Sequence, residues 1–131
     1  MSNWMRLIVA VVVGAHGVGH ILFLVPLLGI ADWGQTTRSW LLGDGWLAKG
    51  MGSLIWLAAL VGFTAVAIGL YRLTDWWRTV ALVAAAVSTV GLLLFWTNPA
   101  SPPVISALLF NLLLFAALLI FNWPPVAQPT G

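Results

Sequence analysis

Residues 47–71 read LAKGMGSLIWLAALVGFTAVAIGLY, and this stretch decides the fold. Its one charged side chain, Lys49, stands at the entrance, and everything from Gly50 to Tyr71 is apolar, small or hydroxylated. About 20 such residues in a helix span the ~30 Å hydrocarbon layer of a bilayer, and a helix satisfies its own backbone polarity there. Three further runs of the same character lie at about 5–28, 76–96 and 102–121. The charges of the first and third, Arg6 and Arg78, fall within the opening turn. The reading is an all-α, four-helix transmembrane bundle, a single integral membrane domain over 1–131.

Composition points the same way. The 131 residues are 62% hydrophobic and 6% charged, against about 45–50% and 25% in ordinary soluble domains. Eight charged side chains cannot cover a soluble fold, so lipid is the expected surroundings. The net charge of +2 comes from basic residues scattered along the chain, which make no nucleic-acid patch. With no cysteine, disulfides, thiolate metal sites and thiol redox chemistry are excluded. The first run also has features of a cleaved leader, with Arg6 ahead of it and Gly29-Ile30-Ala31 after it. It is longer than a leader's apolar core of about 7–15 residues, so it is read as a retained helix.

Tryptophan favours the headgroup level on both sides of a bilayer. Four crossings put Trp4, Trp76, Trp77 and Trp123 at one edge and Trp33, Trp40, Trp46 and Trp96 at the other, leaving Trp56 alone inside a span. Basic residues favour the cytoplasmic side. Arg6, Arg72 and Arg78 share the N-terminal edge, while Arg38 and Lys49 hold the opposite one, so both termini are expected in the cytoplasm, with the cell (inner) membrane as location. The turns Leu73–Asp75 and Thr97–Ser101 are short, so spans two to four should pack as antiparallel neighbours. The longer connection contains TTRSWLLGDGW and reads as a short interfacial segment between the first two spans. Pro26 is expected to kink the end of the first span. The tail WPPVAQPTG, from Trp123, should end the last helix and run extended or disordered.

Polar side chains inside spans carry the functional information. His16, Ser88, Thr89 and Asn111 fall near mid-membrane, with His20 a turn closer to the loop side. In GAHGVGHILF the two histidines differ by roughly 40° around the helix and share a face, with Gly14, Gly17 and Gly19 allowing close approach. Three readings stay open for the pair. His16 or His20 as axial ligand suits a haem or bacteriochlorophyll, although both project from one side and cannot clamp a single iron. A shared metal ion suits i, i+4 histidines, but no acidic residue lies at membrane depth to complete a shell, so no metal site is expected. The third is a polar packing cluster of His16, Ser88, Thr89 and Asn111 that joins the first helix to the third or fourth.

The AHGVGH opening, carried by Ala15, His16, Gly17 and His20 on a chain of four short spans, resembles small bacterial four-helix membrane proteins of the DoxX-like type. That resemblance implies an association with membrane quinone and redox systems. The expectation is an accessory subunit of a larger electron-transport or photosynthetic membrane complex, in contact with lipid and other membrane subunits. A small pigment- or haem-binding redox protein and a small transporter are the alternatives. No phosphate loop, nucleophile elbow or carboxylate pair is present, so the reading leans away from an enzyme.

Overall fold

The computed structural model describes residues 1–125, and helices dominate it: α1 (Asn3–Gly19), α2 (Ile21–Leu27), α3 (Trp46–Arg72), α4 (Trp77–Leu94) and α5 (Pro102–Phe115), the last continuing as a π-helical turn over Ala116–Ile120. Four units, Asn3–Leu27, Trp46–Arg72, Trp77–Leu94 and Pro102–Ile120, are each long and apolar enough to cross a membrane. The chain is therefore a multi-pass membrane protein of four spans. Residues 126–131, which hold most of the expected extended tail, lie outside the described residues.

α3 is the central element, packed along α1 and α2 on one side and α4 on the other, with α5 laid against α4. The α1–α3 approach is set by glycine. A Cβ built on Gly17 would stand 2.7 Å from the Cβ of Phe63, so only a residue without a side chain lets the two backbones come this close. Gly91 of α4 plays a similar part for the Trp56 ring, whose edge would lie 2.8 Å from an added Cβ.

The helix ends explain their own positions. Ser2 caps α1 by accepting the Met5 N–H at 3.2 Å. α3 ends where Leu73 turns left-handed at φ 57°, with Thr74 N–H bonded to Gly69 O and Leu73 N–H to Leu70 O, the pattern of a Schellman cap. Prolines 102 and 103 sit in the first turn of α5, where the missing N–H groups are not needed. The fourth span finishes on Asn122 at φ 50°. There Arg78 reaches across from α4 and donates to Leu118 O, Asn122 Oδ1 and Pro124 O at 3.0, 2.6 and 2.7 Å.

The long connection caps α4. Ser39 and Gly43 pair as an isolated antiparallel bridge, Ser39 Oγ donates to Leu94 O at 2.7 Å and Trp40 Nε1 to Leu93 O at 2.6 Å. These are terminal carbonyls that a helix cannot satisfy by itself. Trp40 and Leu41 face outward, as an interfacial segment requires.

The core is layered. One apolar cluster holds Ala10, Val13, Ala59, Phe63, Val66 and Trp77 among others, and a second, toward the long loop, holds Phe23, Leu27, Trp56, Leu92, Phe95 and Val104. Two features differ from the sequence expectation. Trp77 is 6% exposed and belongs to the first cluster, whereas its neighbour Trp76 stays exposed; the ~100° step between successive helical residues sends one ring in and the other out. The first span is also interrupted at His20, between α1 and α2, while Pro26 lies inside α2.

Candidate functional site

Between the two apolar clusters lies a layer of buried side-chain hydrogen bonds. His20 is 1% exposed, Ser88 and Asn111 0%. His20 sits at the helix interruption, where its N–H bonds to Gly17 O at 3.1 Å rather than to His16 O one helical turn back. Its own ring repairs the loss. Nδ1 lies 3.0 Å from His16 O and 3.2 Å from Gly17 O. Both partners are carbonyl acceptors, so Nδ1 carries the proton and, in the neutral ring, Nε2 is the acceptor. Ser88 Oγ, 2.7 Å from Nε2, then donates to it.

The rest of the layer follows. Thr89 gives its proton to Ala85 O at 2.7 Å, which leaves its oxygen as an acceptor only. The Asn111 atom 3.2 Å from it is therefore nitrogen, and the same Nδ2 donates to Ser88 Oγ at 2.9 Å. The amide oxygen consequently faces His16, which donates through Nε2 at 3.1 Å. One directional chain runs from His16 through Asn111 and Ser88 to His20, tying α1, α4 and α5 together. His16 is further held by stacking on Phe110 (centroids 3.9 Å, planes 18° apart) and by an edge contact with Phe63 at 4.6 Å.

The other intramembrane hydroxyls stay within their own helices. Ser53, Thr64 and Ser106 bond to Lys49 O, Leu60 O and Pro103 O, which satisfies them locally. Ser88 is the serine that crosses between helices.

This arrangement limits what the histidines can ligate. Both rings already engage Nε2, and His20 is also occupied at Nδ1. Binding a metal or tetrapyrrole through His20 Nε2 would leave the buried Ser88 hydroxyl without this acceptor, and binding through Nδ1 would leave the carbonyls at the helix interruption without this donor; either is costly. Nδ1 of His16 has no hydrogen-bond partner among the described residues. His16 borders a groove of about 320 Å³ between α1 and α5, whose walls include Val12, Leu22, Phe23, Ala107 and Phe110. Among the described residues no three His, Cys, Asp or Glu side chains group as a metal shell.

A second cavity, of about 300 Å³, opens under the long loop. Its inner walls are Phe23, Trp56, Leu92, Phe95 and Val104, and its mouth carries Asp32, Gln35, Thr36, Thr97 and Ser101. Trp56 stacks on Phe23 (centroids 4.8 Å, 27°) and tilts against Phe95 at 5.9 Å. Sequence reading did not single out this constellation; the signal available was Trp56, the one tryptophan deep inside a span. The chain matches no protein-family model, no curated protein and no solved structure.

Proposed function

We propose that the protein is a small integral membrane accessory subunit that assembles into a larger membrane complex of the electron-transport or photosynthetic class. The observation that supports this reading is how its polarity is used. The groups at mid-membrane are hydrogen-bonded to one another, so among the described residues the interior offers no constellation for independent catalysis. The fourth span is the least buried of the four in this bundle and leaves Leu109, Leu112, Leu113, Leu119 and Ile120 uncovered, a surface as suited to a neighbouring helix as to lipid. The class of complex rests on the DoxX-like resemblance. Both termini are assigned to the cytoplasm of an inner membrane on the distribution of arginines.

Purification from native membrane in a mild detergent, with an absorption spectrum of the intact fraction, tests the proposal. Stoichiometric co-migrating subunits support it, and a lone species under every mild condition overturns it. One observation favours a pigment-binding reading: Nδ1 of His16 has no hydrogen-bond partner among the described residues, and His16 lines the groove between α1 and α5. On that reading a Soret or near-infrared band accompanies the chain and disappears in His16→Ala. A band that survives this change removes the reading.

A further inference from the structure

We propose that the cavity beneath the long loop is a binding site for a small amphipathic amine, with the ammonium group at its mouth and an apolar body against the aromatic walls. The proposal goes beyond the accessory role and does not depend on it.

The mouth presents acceptors. Thr97 directs its proton to Pro99 O at 2.9 Å and Thr36 to Arg38 O at 3.1 Å, while Ser101 donates to Gln35 Oε1 at 2.9 Å. The Thr97 and Ser101 hydroxyls are thereby left showing lone pairs, and Thr36, which also accepts the Arg38 N–H at 3.1 Å, keeps one. Asp32 accepts the Gly34 N–H at 2.9 Å through Oδ1. A carboxylate has about four lone-pair sites, so most of its capacity stays open. Three hydroxyl oxygens and a carboxylate around one opening suit a group rich in donors and positive in charge, and a primary ammonium, with its three donors, has that chemistry. Arg38 shares a neighbouring surface depression with Asp32 but is not among the residues lining this cavity.

The inner end has the opposite need. Trp56 is 2% exposed, and its indole N–H has no hydrogen-bond partner among the described residues. Trp56 is one of the inner walls of the cavity. A buried indole N–H normally finds a partner, so an acceptor belongs here, on a body flanked by Phe23 and Phe95. The volume lies at the lower end of the roughly 300–1,000 Å³ of small-molecule sites, which fits one aromatic ring with a short amine arm and excludes a lipid with full-length chains.

Tyramine carries an ammonium, an aromatic ring and a distal hydroxyl oxygen, and tyrosol replaces the ammonium with a neutral hydroxyl. Calorimetric titration of the full chain in nanodiscs with each compound tests the site. Tyramine is expected to bind saturably at one site per chain and at least about tenfold more tightly than tyrosol, the scale of a charge-assisted hydrogen bond. Asp32→Asn, which keeps an oxygen for the Gly34 N–H, should erase that preference, and Trp56→Phe should weaken both compounds. Equal, non-saturating uptake of tyramine and tyrosol overturns the proposal, because it reports partition into lipid. So does an Asp32→Asn chain of unchanged melting temperature that still prefers tyramine. The comparison of the two compounds on the unmodified chain needs no variant to fold.

Discussion

Replacing Asn111 with leucine removes the central link of the polar layer while keeping a side chain of similar size. Both folded and unfolded chains remain in the membrane, so the gain in apolarity largely cancels. What changes is three hydrogen bonds, to His16, Ser88 and Thr89. Such bonds between membrane helices average about 0.6 kcal/mol each, which places the direct loss near 2 kcal/mol. Ser88 keeps its bond to His20 and Thr89 its bond to Ala85, so the His16 N–H is the donor left without a partner. Its orphaning adds up to about 1 kcal/mol, at the low end of the usual penalty because His16 is only half-buried. Asn111→Leu should therefore cost about 2–3 kcal/mol in reversible unfolding by steric trapping or in mixed micelles. Paired with His16→Phe, it should cost less than the two single changes together, by about 1 kcal/mol. If Asn111→Leu is as stable as the parent, the layer does not stabilise the fold; if the two changes are additive, His16 and Asn111 are not coupled.

The same unfolding assay checks three more changes. Gly17→Val should cost about 1–3 kcal/mol by overpacking α1 against Phe63, whereas Gly19→Ala, which meets nothing within 4 Å, should be tolerated. Leu73→Gly should raise stability by about 1 kcal/mol, because a left-handed conformation costs leucine about that much and glycine almost nothing; a loss of stability would mean that the Leu73 side chain matters more than its backbone. Arg78→Leu should open the end of the fourth span. Amide exchange should quicken at Phe121 and Trp123, whose N–H groups bond to Ala116 O and Ala117 O, with α3 amides unaffected; uniform acceleration would place the effect on global stability instead.

The spans are legible in the sequence because crossing a bilayer is a demand on length and polarity, and both can be read along one strand of text. His16, Ser88, Thr89 and Asn111 stand out for a related reason: each is polar at a depth where water cannot satisfy it. His20 is harder to read. Its spacing from His16 invites a ligand pair, but in the fold its ring is spent on the helix interruption and on Ser88. That use depends on α4 bringing a serine to 2.7 Å, a contact between residues far apart in sequence. The interruption is likewise easier to expect at Pro26, which cannot donate a backbone hydrogen bond, than at a histidine that supplies a replacement donor from its own side chain. Trp76 and Trp77 show another limit. Hydropathy fixes their depth, whereas the rotation of α4 about its axis decides which ring is buried.

The cavity under the loop escapes sequence reading because five separate segments build it, α2, the long connection, α3, the end of α4 and the start of α5, and the layer below helps fix how they meet. Leucine- and valine-rich helices in lipid have little to choose between neighbouring registers, since each offers similar apolar contacts. Hydrogen bonds between particular side chains do distinguish them. A one-turn slide of about 5.4 Å would separate Asn111 from His16 and Ser88 from His20, leaving buried polar groups unpaired. The same two links set the height of α1 and α2 against α4 and α5, and thus of Phe23 against Phe95 and Val104. His20 carries this into the aromatic wall directly, with its ring 5.9 Å from Trp56 and 6.3 Å from Phe23. The buried histidine therefore acts at a distance from anything it could ligate, holding the walls of the cavity in the one register where they enclose a space.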